Sequence, residues 1–281
     1  EWLPGTLRLD SRENSTFRLT STTIVALIAS CVVALPVAHS AETEKSAQKT
    51  VLITGANRGI GLGFAQVYAK RGWRVIATTR DPAQATELAQ LAASNADFSV
   101  ARLDVASAQD VAVLAAALRG QPIDLLINNA GISGNIRSRS PGKMDMESFG
   151  TVLAGNTIGP LRVAEALLPN VIASQDKKIV NISTSEASFG MDGGPGRIPF
   201  YRASKSALNM LMLNYAKMVT DRGVTVLLVN PGPVDTDMMK GARMKLESVE
   251  SAVGQMITVI DKASPADNGK FFNLDGQVLP W

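Results

Sequence analysis

From Thr50 onwards, short apolar runs alternate with stretches whose apolar residues recur at helical spacing. The apolar runs are predicted as buried strands: Val51–Thr54, Arg74–Thr79, Phe98–Leu103, Leu125–Asn128, Lys178–Ser183, Thr225–Val229 and Phe271–Leu274. Helices are predicted between them, over Ile60–Lys70, Ala83–Ala92, Ala108–Leu118, Met146–Ile172, Tyr201–Thr220 and Leu246–Asp261. This alternation predicts an α/β fold, with a parallel sheet covered by helices on both faces, in a single domain over residues 50–281.

Polar and glycine residues follow the predicted strands. They are TGANRGIG after the first strand, then Thr78–Asp81, Leu103–Val105, Asn128–Gly131, Ser183–Ser185 and Asn230–Pro233. Each group alone is ordinary turn chemistry. Because the carboxyl ends of parallel strands meet at one edge of a sheet, all of them together favour a shared ligand site.

The first of these turns has glycines at positions 55, 59 and 61, in a strand–turn–helix segment. Glycine lets the backbone turn sharply and approach a ligand closely. The following helix would direct free N–H groups towards a bound pyrophosphate. A tight strand–helix connection without a ligand is the alternative for this motif taken alone.

Residues 1–45 are predicted to lie outside the domain. The apolar run 22–38 follows an arginine-containing segment and precedes small residues, which is typical of a signal peptide cleaved near Ala41. Export, for example to the periplasm, is therefore expected. An uncleaved membrane anchor, or a mis-assigned start on a cytoplasmic protein, are the alternatives.

The only cysteine and the only histidine, Cys31 and His39, both lie in this N-terminal segment. The predicted domain therefore has no disulfide, no zinc site built on these residue types and no Ser–His–Asp triad, and we expect no metal. The net charge of +3 is spread along the chain, so we expect no nucleic-acid partner. Acid–base chemistry is left to Tyr, Lys, Asp or Glu.

The sequence resembles the short-chain dehydrogenase/reductase family. The matching segments occur in the family's order: Thr54-Gly55-x-x-x-Gly59-x-Gly61, Asn128-Asn129-Ala130-Gly131, Asn156, Tyr201-x-x-x-Lys205 and Pro231-Gly232. YRASK and the ending from Gly269 to Trp281 are most similar to the carbonyl-reductase and C-factor-like branch. The resemblance implies a Rossmann-type doubly wound sheet of seven mostly parallel strands, and hydride transfer between a nicotinamide cofactor and a carbonyl or alcohol.

The resemblance implies that Tyr201 is the general acid and that Lys205 also holds the nicotinamide ribose. The two residues are four apart, so they share one face of a helix. A neighbouring ammonium is expected to lower the pKa of the phenol. The alternative is an amphipathic helix that happens to carry Tyr and Lys.

Two further catalytic positions follow from the resemblance. Asn156 is implied to hold a water that links Lys205 to solvent; it precedes Pro160, which interrupts a helix, so a kink without chemistry is the alternative. The family's serine aligns with Thr184, which carries the same hydroxyl group. A shift of one residue would give that role to Ser183 or Ser185.

NADP(H) is predicted over NAD(H), because Arg58 and Arg80 offer two guanidinium groups for a 2′-phosphate. Two surface arginines without that role are the alternative. The predicted cofactor-binding residues are Gly55, Asn57, Arg58, Gly59, Ile60, Gly61, Arg80, Asp104, Val105, Asn129, Ala130, Gly131, Tyr201, Lys205, Pro231, Gly232, Val234 and Thr236. Asp104 and Val105 are expected beside the adenine, residues 129–131 beside its ribose, and Val234 and Thr236 beside the nicotinamide amide.

Substrate contacts are expected from two loops, Glu186–Phe200 and Asp235–Leu246. Glycine-rich and Met-rich loops suit a lid over an apolar small molecule, or packing against a second subunit in a homo-oligomer. A membrane contact is expected only through residues 22–38, if they are uncleaved. A dinucleotide-binding signalling or regulatory protein with little turnover is the alternative function.

Overall fold

The computed structural model describes residues 48–134, 141–191 and 198–281. Within these residues, seven strands form one parallel sheet: β1 (Thr50–Ile53), β2 (Arg74–Thr79), β3 (Phe98–Arg102), β4 (Leu125–Asn128), β5 (Lys178–Ile182), β6 (Thr225–Asn230) and β7 (Phe271–Asn273). The helices are α1 (Gly59–Lys70), α2 (Thr86–Ser94), α3 (Ala108–Ala117), α4 (Met146–Leu153), α5 (Gly159–Ile172), α6 (Pro199–Met218) and α7 (Val249–Lys262).

The strand order is β3-β2-β1-β4-β5-β6-β7, and every pairing is parallel. The predicted doubly wound sheet is therefore confirmed. The order reverses between β1 and β4, and in open α/β sheets ligands bind beyond the strand ends at that point. The glycine turn after β1 and the loop after β4 lie there.

Both faces of the sheet are buried, and the alternation along β1 explains how. Leu52 packs into one apolar cluster with residues of α5 and α6, whereas Val51 and Ile53 pack into the opposite cluster with residues of α1 and α7. Successive side chains of a strand point to opposite faces, so an uninterrupted run of apolar residues serves both layers. This two-sided core fixes the strand ends that carry the candidate site.

The long helix predicted over Met146–Ile172 is interrupted. A π-helical turn at Ala154–Ile158 separates α4 from α5, directly before Gly159 and Pro160. Proline lacks the N–H of a regular helix, and single π turns inside α-helices are rare and frequently lie at functional sites. The turn presents Asn156 and Thr157 towards the start of α6, which a regular helix pattern did not predict.

Two other helices begin later than predicted. α2 begins at Thr86, after a short 3₁₀ turn at Pro82–Gln84. α7 begins at Val249, because Glu247 pairs with Val234 and the Ser248 side chain caps the helix. Apart from the interruption between α4 and α5, the remaining ends lie within two residues of the predictions.

The predicted leader, residues 22–38, and part of the first predicted substrate loop, residues 192–197, lie outside the described residues. The leader and the division at residue 45 stay predictions. Within the described ranges, no helix combines the length and the apolar character needed to cross a membrane.

Candidate active site

The turn between β1 and α1 requires glycine for two physical reasons. Gly55 and Gly59 have φ values of +65° and +54°, in the left-handed region that other residues adopt at a cost. A Cβ on Gly55 would lie 2.9 Å from the Ala130 Cα, and a Cβ on Gly61 would lie 2.3 Å from the Gly55 carbonyl oxygen. The turn is therefore packed directly against the loop that follows β4.

Thr54 and Asn129 hold this turn in place. The Thr54 Oγ1 accepts the backbone N–H groups of Asn129 at 3.0 Å and Ala130 at 3.1 Å. The Asn129 side chain donates to the carbonyl oxygens of Thr54 at 2.9 Å and Gly55 at 3.0 Å. Asn129 was predicted only as a cofactor contact, but its amide nitrogen braces the turn. Thr54 was missed, although it directly precedes the first glycine of the motif.

The residues at this turn fit the diphosphate of a dinucleotide. α1 begins at Gly59, and no side chain caps its first turn. Uncapped N–H groups at a helix N-terminus attract anions. Gly59 also borders a cavity of about 300 Å³, whose other lining residues are Asp235, Thr236, Asp237, Lys240 and Val249. Because two of these residues are aspartates, the diphosphate is expected at the N–H groups of α1 rather than in this cavity.

Asn156 is fully buried in the π turn and connects three segments of the chain. Its Oδ1 accepts the Ile132 N–H at 2.8 Å, and its Nδ2 donates to the Ile132 carbonyl at 2.8 Å and to the Ser204 Oγ at 3.0 Å. Thr157 donates to the Ser204 carbonyl at 2.7 Å. The π turn therefore fixes the loop after β4 against α6, one residue before Lys205. Ser204 was missed by sequence reasoning.

Lys205 lies at the centre of the site. Its Nζ donates to the Ile182 carbonyl at the end of β5, at 2.7 Å, and the residue is 4% exposed. A Cβ placed on Gly131 would lie 3.3 Å from the Asn156 Oδ1 and 3.6 Å from the Lys205 Nζ. Three predicted site residues therefore meet at one point. Tyr201, one helical turn before Lys205 on α6, is partly exposed.

The pKa values correct one prediction. Burial raises the pKa of Tyr201 to about 12, and the carboxylate of Glu186 adds to the rise. Burial lowers the pKa of Lys205 to about 8. The predicted lowering of the Tyr201 pKa by the Lys205 ammonium is therefore wrong for this structure. Loss of hydration and the Glu186 carboxylate set the direction of this shift, while the Lys205 Nζ donates to the Ile182 carbonyl.

The lowered pKa of Lys205 predicts a pH dependence of stability. Between pH 8 and the ordinary lysine value of 10.5, the unfolded chain binds a proton that the folded state has lost. The free energy of unfolding should therefore rise with pH in this window. Across this window, the free energy of unfolding of the wild type should rise by on the order of 3 kcal/mol more than that of Lys205→Met. Urea unfolding of both proteins at several pH values measures this difference, and parallel pH curves would contradict it.

The structure separates Ser183 from the two hydroxyl residues that follow it at the end of β5. Ser183 is buried and donates to the Asn209 Oδ1 at 2.6 Å, so its hydroxyl is engaged in the core. Thr184 is partly exposed, and its Oγ1 accepts the Glu186 N–H at 3.3 Å. Since that bond uses a lone pair, the Thr184 proton remains able to donate. Ser185 is also partly exposed, and its backbone N–H donates to the Asn230 Oδ1 at 3.0 Å.

The two arginines predicted to bind phosphate have different surroundings. Arg80 is exposed directly after β2. Arg58 forms an ion pair with Asp237, with 3.0 Å between Nη1 and Oδ2. Asp237 lies in the loop after β6, within the second predicted substrate loop, Asp235–Leu246, but it was not singled out as a site residue. It directly follows Thr236 of the predicted cofactor set.

The other predicted cofactor residues also follow strand ends. Asp104 accepts the Ala106 N–H at 3.0 Å, and Val105 is buried beside Gly159, where a Cβ would approach it to 2.8 Å. Val234 is buried, and a Cβ on Gly59 would lie 3.2 Å from the Thr236 Cγ2. Asn57 lies in the turn after β1, Ile60 in the first turn of α1, and Pro231 and Gly232 directly after β6.

Comparison with known proteins agrees with this geometry. A family model described as short chain dehydrogenase matches residues 49–247. An NADPH-bound carbonyl reductase from chicken fatty liver has a similar structure, with a TM-score of 0.77 and 33% identity, covering 83% of this chain and 99% of that chain. The predicted resemblance to the carbonyl-reductase branch is confirmed.

Two curated relatives are also similar. The 1-hydroxy-2-glutathionyl-2-methyl-3-butene dehydrogenase of Rhodococcus sp. is 33% identical over 237 residues, which cover 83% of this chain and 99% of that protein. The protein named C-signal of Myxococcus xanthus is 34% identical over 160 residues, covering 57% of this chain and 93% of that protein. With its doubly wound sheet and its glycine turn, the chain belongs to the short chain dehydrogenase family and is an NAD(P)-dependent oxidoreductase.

Proposed function

We propose that the protein reduces an aldehyde or a ketone to an alcohol, reversibly, with NADPH as the hydride donor and Tyr201 as the proton donor. The observation that carries this proposal is the meeting of Lys205 and Asn156 above Gly131, where both side chains come within 3.6 Å of one point. That point lies after β4, next to the glycine turn. The NADPH bound to the similar chicken carbonyl reductase supports the choice of cofactor.

Three residues of this chain have separate roles at the carbonyl oxygen: they donate a proton, donate a hydrogen bond and replace the proton. The nicotinamide, when bound, supplies the hydride. Tyr201, whose pKa is about 12, keeps its proton at neutral pH and can give it to the oxygen. Thr184 donates a second hydrogen bond to the same oxygen. Lys205, with a pKa of about 8, carries a proton near neutral pH that can replace the one lost by Tyr201.

Oxidation of NADPH in the presence of a panel of aldehydes and ketones tests this function. We expect turnover on at least one carbonyl compound, with the corresponding alcohol as product. NADPH should also bind about tenfold or more tightly than NADH, because Arg58 and Arg80 suit phosphate geometry. NADH binding as tight as NADPH binding would contradict the cofactor preference, whatever the outcome of the turnover assay.

The hydroxyl assignment at the end of β5 makes a separate prediction. Thr184→Ala is expected to lower kcat/KM by about 100-fold, because one hydrogen bond to the developing charge is lost. Thr184→Ser keeps the hydroxyl and should stay within about tenfold of the wild type. Ser185→Ala is the matched control and should be nearly neutral. A large loss in Ser185→Ala, with Thr184→Ala unaffected, would move the role to Ser185.

A second candidate function is dinucleotide-dependent signalling with little turnover. The similarity to the protein named C-signal favours it. The buried Lys205 and Asn156 argue against it, because a binding protein has no need of proton chemistry at that point. Tight NADPH binding without turnover on any compound of the panel would favour this second function.

A further inference from the structure

The ion pair between Arg58 and Asp237 joins the glycine turn to the loop after β6. At its base, this loop is held by backbone bonds: Asp235 donates to the Glu247 carbonyl at 2.8 Å, and Glu247 donates to the Pro233 carbonyl at 2.8 Å. Thr236 packs on Gly59, so the next residue is placed beside Arg58. The position of Asp237 is therefore fixed by the backbone on both sides of the contact.

Asp237 has two cationic partners. Its second carboxylate oxygen pairs with the Lys240 ammonium of the same loop. Hydrogen bonding to Lys240, followed by that to Arg58, holds its pKa below the usual aspartate value. The Arg58 guanidinium, which is proposed to receive a 2′-phosphate, therefore already has an anionic partner in this structure.

We propose that Asp237 is a specificity-determining residue: it competes with the 2′-phosphate of the dinucleotide for the Arg58 guanidinium. This inference rests on the proposed use of NADPH. The carboxylate occupies the Nη1 of Arg58 and partly neutralises its charge, so a phosphate that binds this guanidinium competes with it, and Asp237 moderates the preference for the phosphorylated cofactor. The Arg58 and Asp237 side chains are 67% and 45% exposed. Solvent therefore screens the pair, and an exchange of partners costs little free energy.

Two adenosine fragments isolate this effect from catalysis. Adenosine 2′,5′-bisphosphate and adenosine 5′-monophosphate differ only by the 2′-phosphate, and their dissociation constants are measurable by calorimetry. In Asp237→Asn, we expect the bisphosphate to bind about two- to fivefold more tightly, the effect of removing one exposed ion pair, and the monophosphate to be unchanged. The effect should vanish in an Arg58→Met background.

Asp235→Asn is the matched control. Asp235 lines the same cavity, carries the same charge and, among the described residues, forms no ion pair. Equal tightening in both variants would reduce the effect to net charge and overturn the proposal. Weaker binding of both fragments in Asp237→Asn would also overturn it, because the Arg58–Asp237 pair would then hold the loop closed over the ligand.

The same titrations separate this inference from the function it rests on. A wild type that binds both fragments equally would contradict the proposed preference for NADPH. A wild type that prefers the bisphosphate, with no change in Asp237→Asn, would contradict only the role of Asp237.

Discussion

Tyr201→Phe is expected to lower kcat/KM for carbonyl reduction by about 10²–10⁴-fold, the usual contribution of a positioned proton donor. Phenylalanine keeps the ring but removes the only proton that Tyr201 can give. Because burial raises the Tyr201 pKa to about 12, the wild-type phenol is neutral at pH 7 and acts as an acid. Steady-state kinetics with the best substrate of the panel measures the loss.

Tyr215→Phe is the matched control. Tyr215 is a buried tyrosine of the same helix, α6, about 21 Å further along its axis. The kcat/KM of Tyr215→Phe should equal that of the wild type. Tyr201 is also one of the predicted cofactor-binding residues, but the ring is retained in Tyr201→Phe, so the affinity for NADPH should stay within about threefold. Full activity in Tyr201→Phe would contradict its role as proton donor.

Gly61→Ala is expected to abolish most cofactor binding and to lower the free energy of unfolding by about 1–3 kcal/mol. The added Cβ would lie 2.3 Å from the Gly55 carbonyl oxygen and 2.5 Å from the Asn129 Nδ2. Both neighbours are part of the hydrogen-bonded turn, so neither can move without opening it. Urea unfolding and NADPH titration measure the two effects separately.

Gly254→Ala provides the control for a helical glycine. Gly254 lies within α7, and a Cβ there would meet nothing within 4 Å. Alanine loses less backbone entropy than glycine in a helix, so this variant should be more stable by about 0.5–1 kcal/mol. Cofactor binding should not change in Gly254→Ala.

Unaltered NADPH affinity in Gly61→Ala would show that the tight turn is not needed for the cofactor.

The sheet was predictable because its signal is local. Each buried strand is a short apolar run, and the spacing of Gly55, Gly59 and Gly61 marks the turn that follows the first of them. The pairing of Tyr201 with Lys205 on one helix face also follows from spacing alone. The first residues of α2 and α7 were less predictable. The start of α2 depends on the preceding proline turn, and the start of α7 depends on the pairing of Glu247 with Val234.

What could not be predicted depends on contacts between distant segments. The amide of Asn156 reaches Ile132 and Ser204 only because the π turn rotates it towards both. The ion pair of Arg58 with Asp237 joins residues 179 positions apart. The raised pKa of Tyr201 reflects burial, which spacing does not reveal, and it reverses the expectation drawn from Lys205 alone.

Transfer of label from the cofactor tests the proposed chemistry most directly. NADPH deuterated at the reactive face of the nicotinamide C4 is incubated with the protein and a carbonyl compound that it turns over, and the alcohol is examined by mass spectrometry. The account predicts one deuterium on the carbinol carbon of the product, and loss of this transfer in Tyr201→Phe. Bound NADPH that passes no deuterium to any aldehyde or ketone of the panel would contradict it.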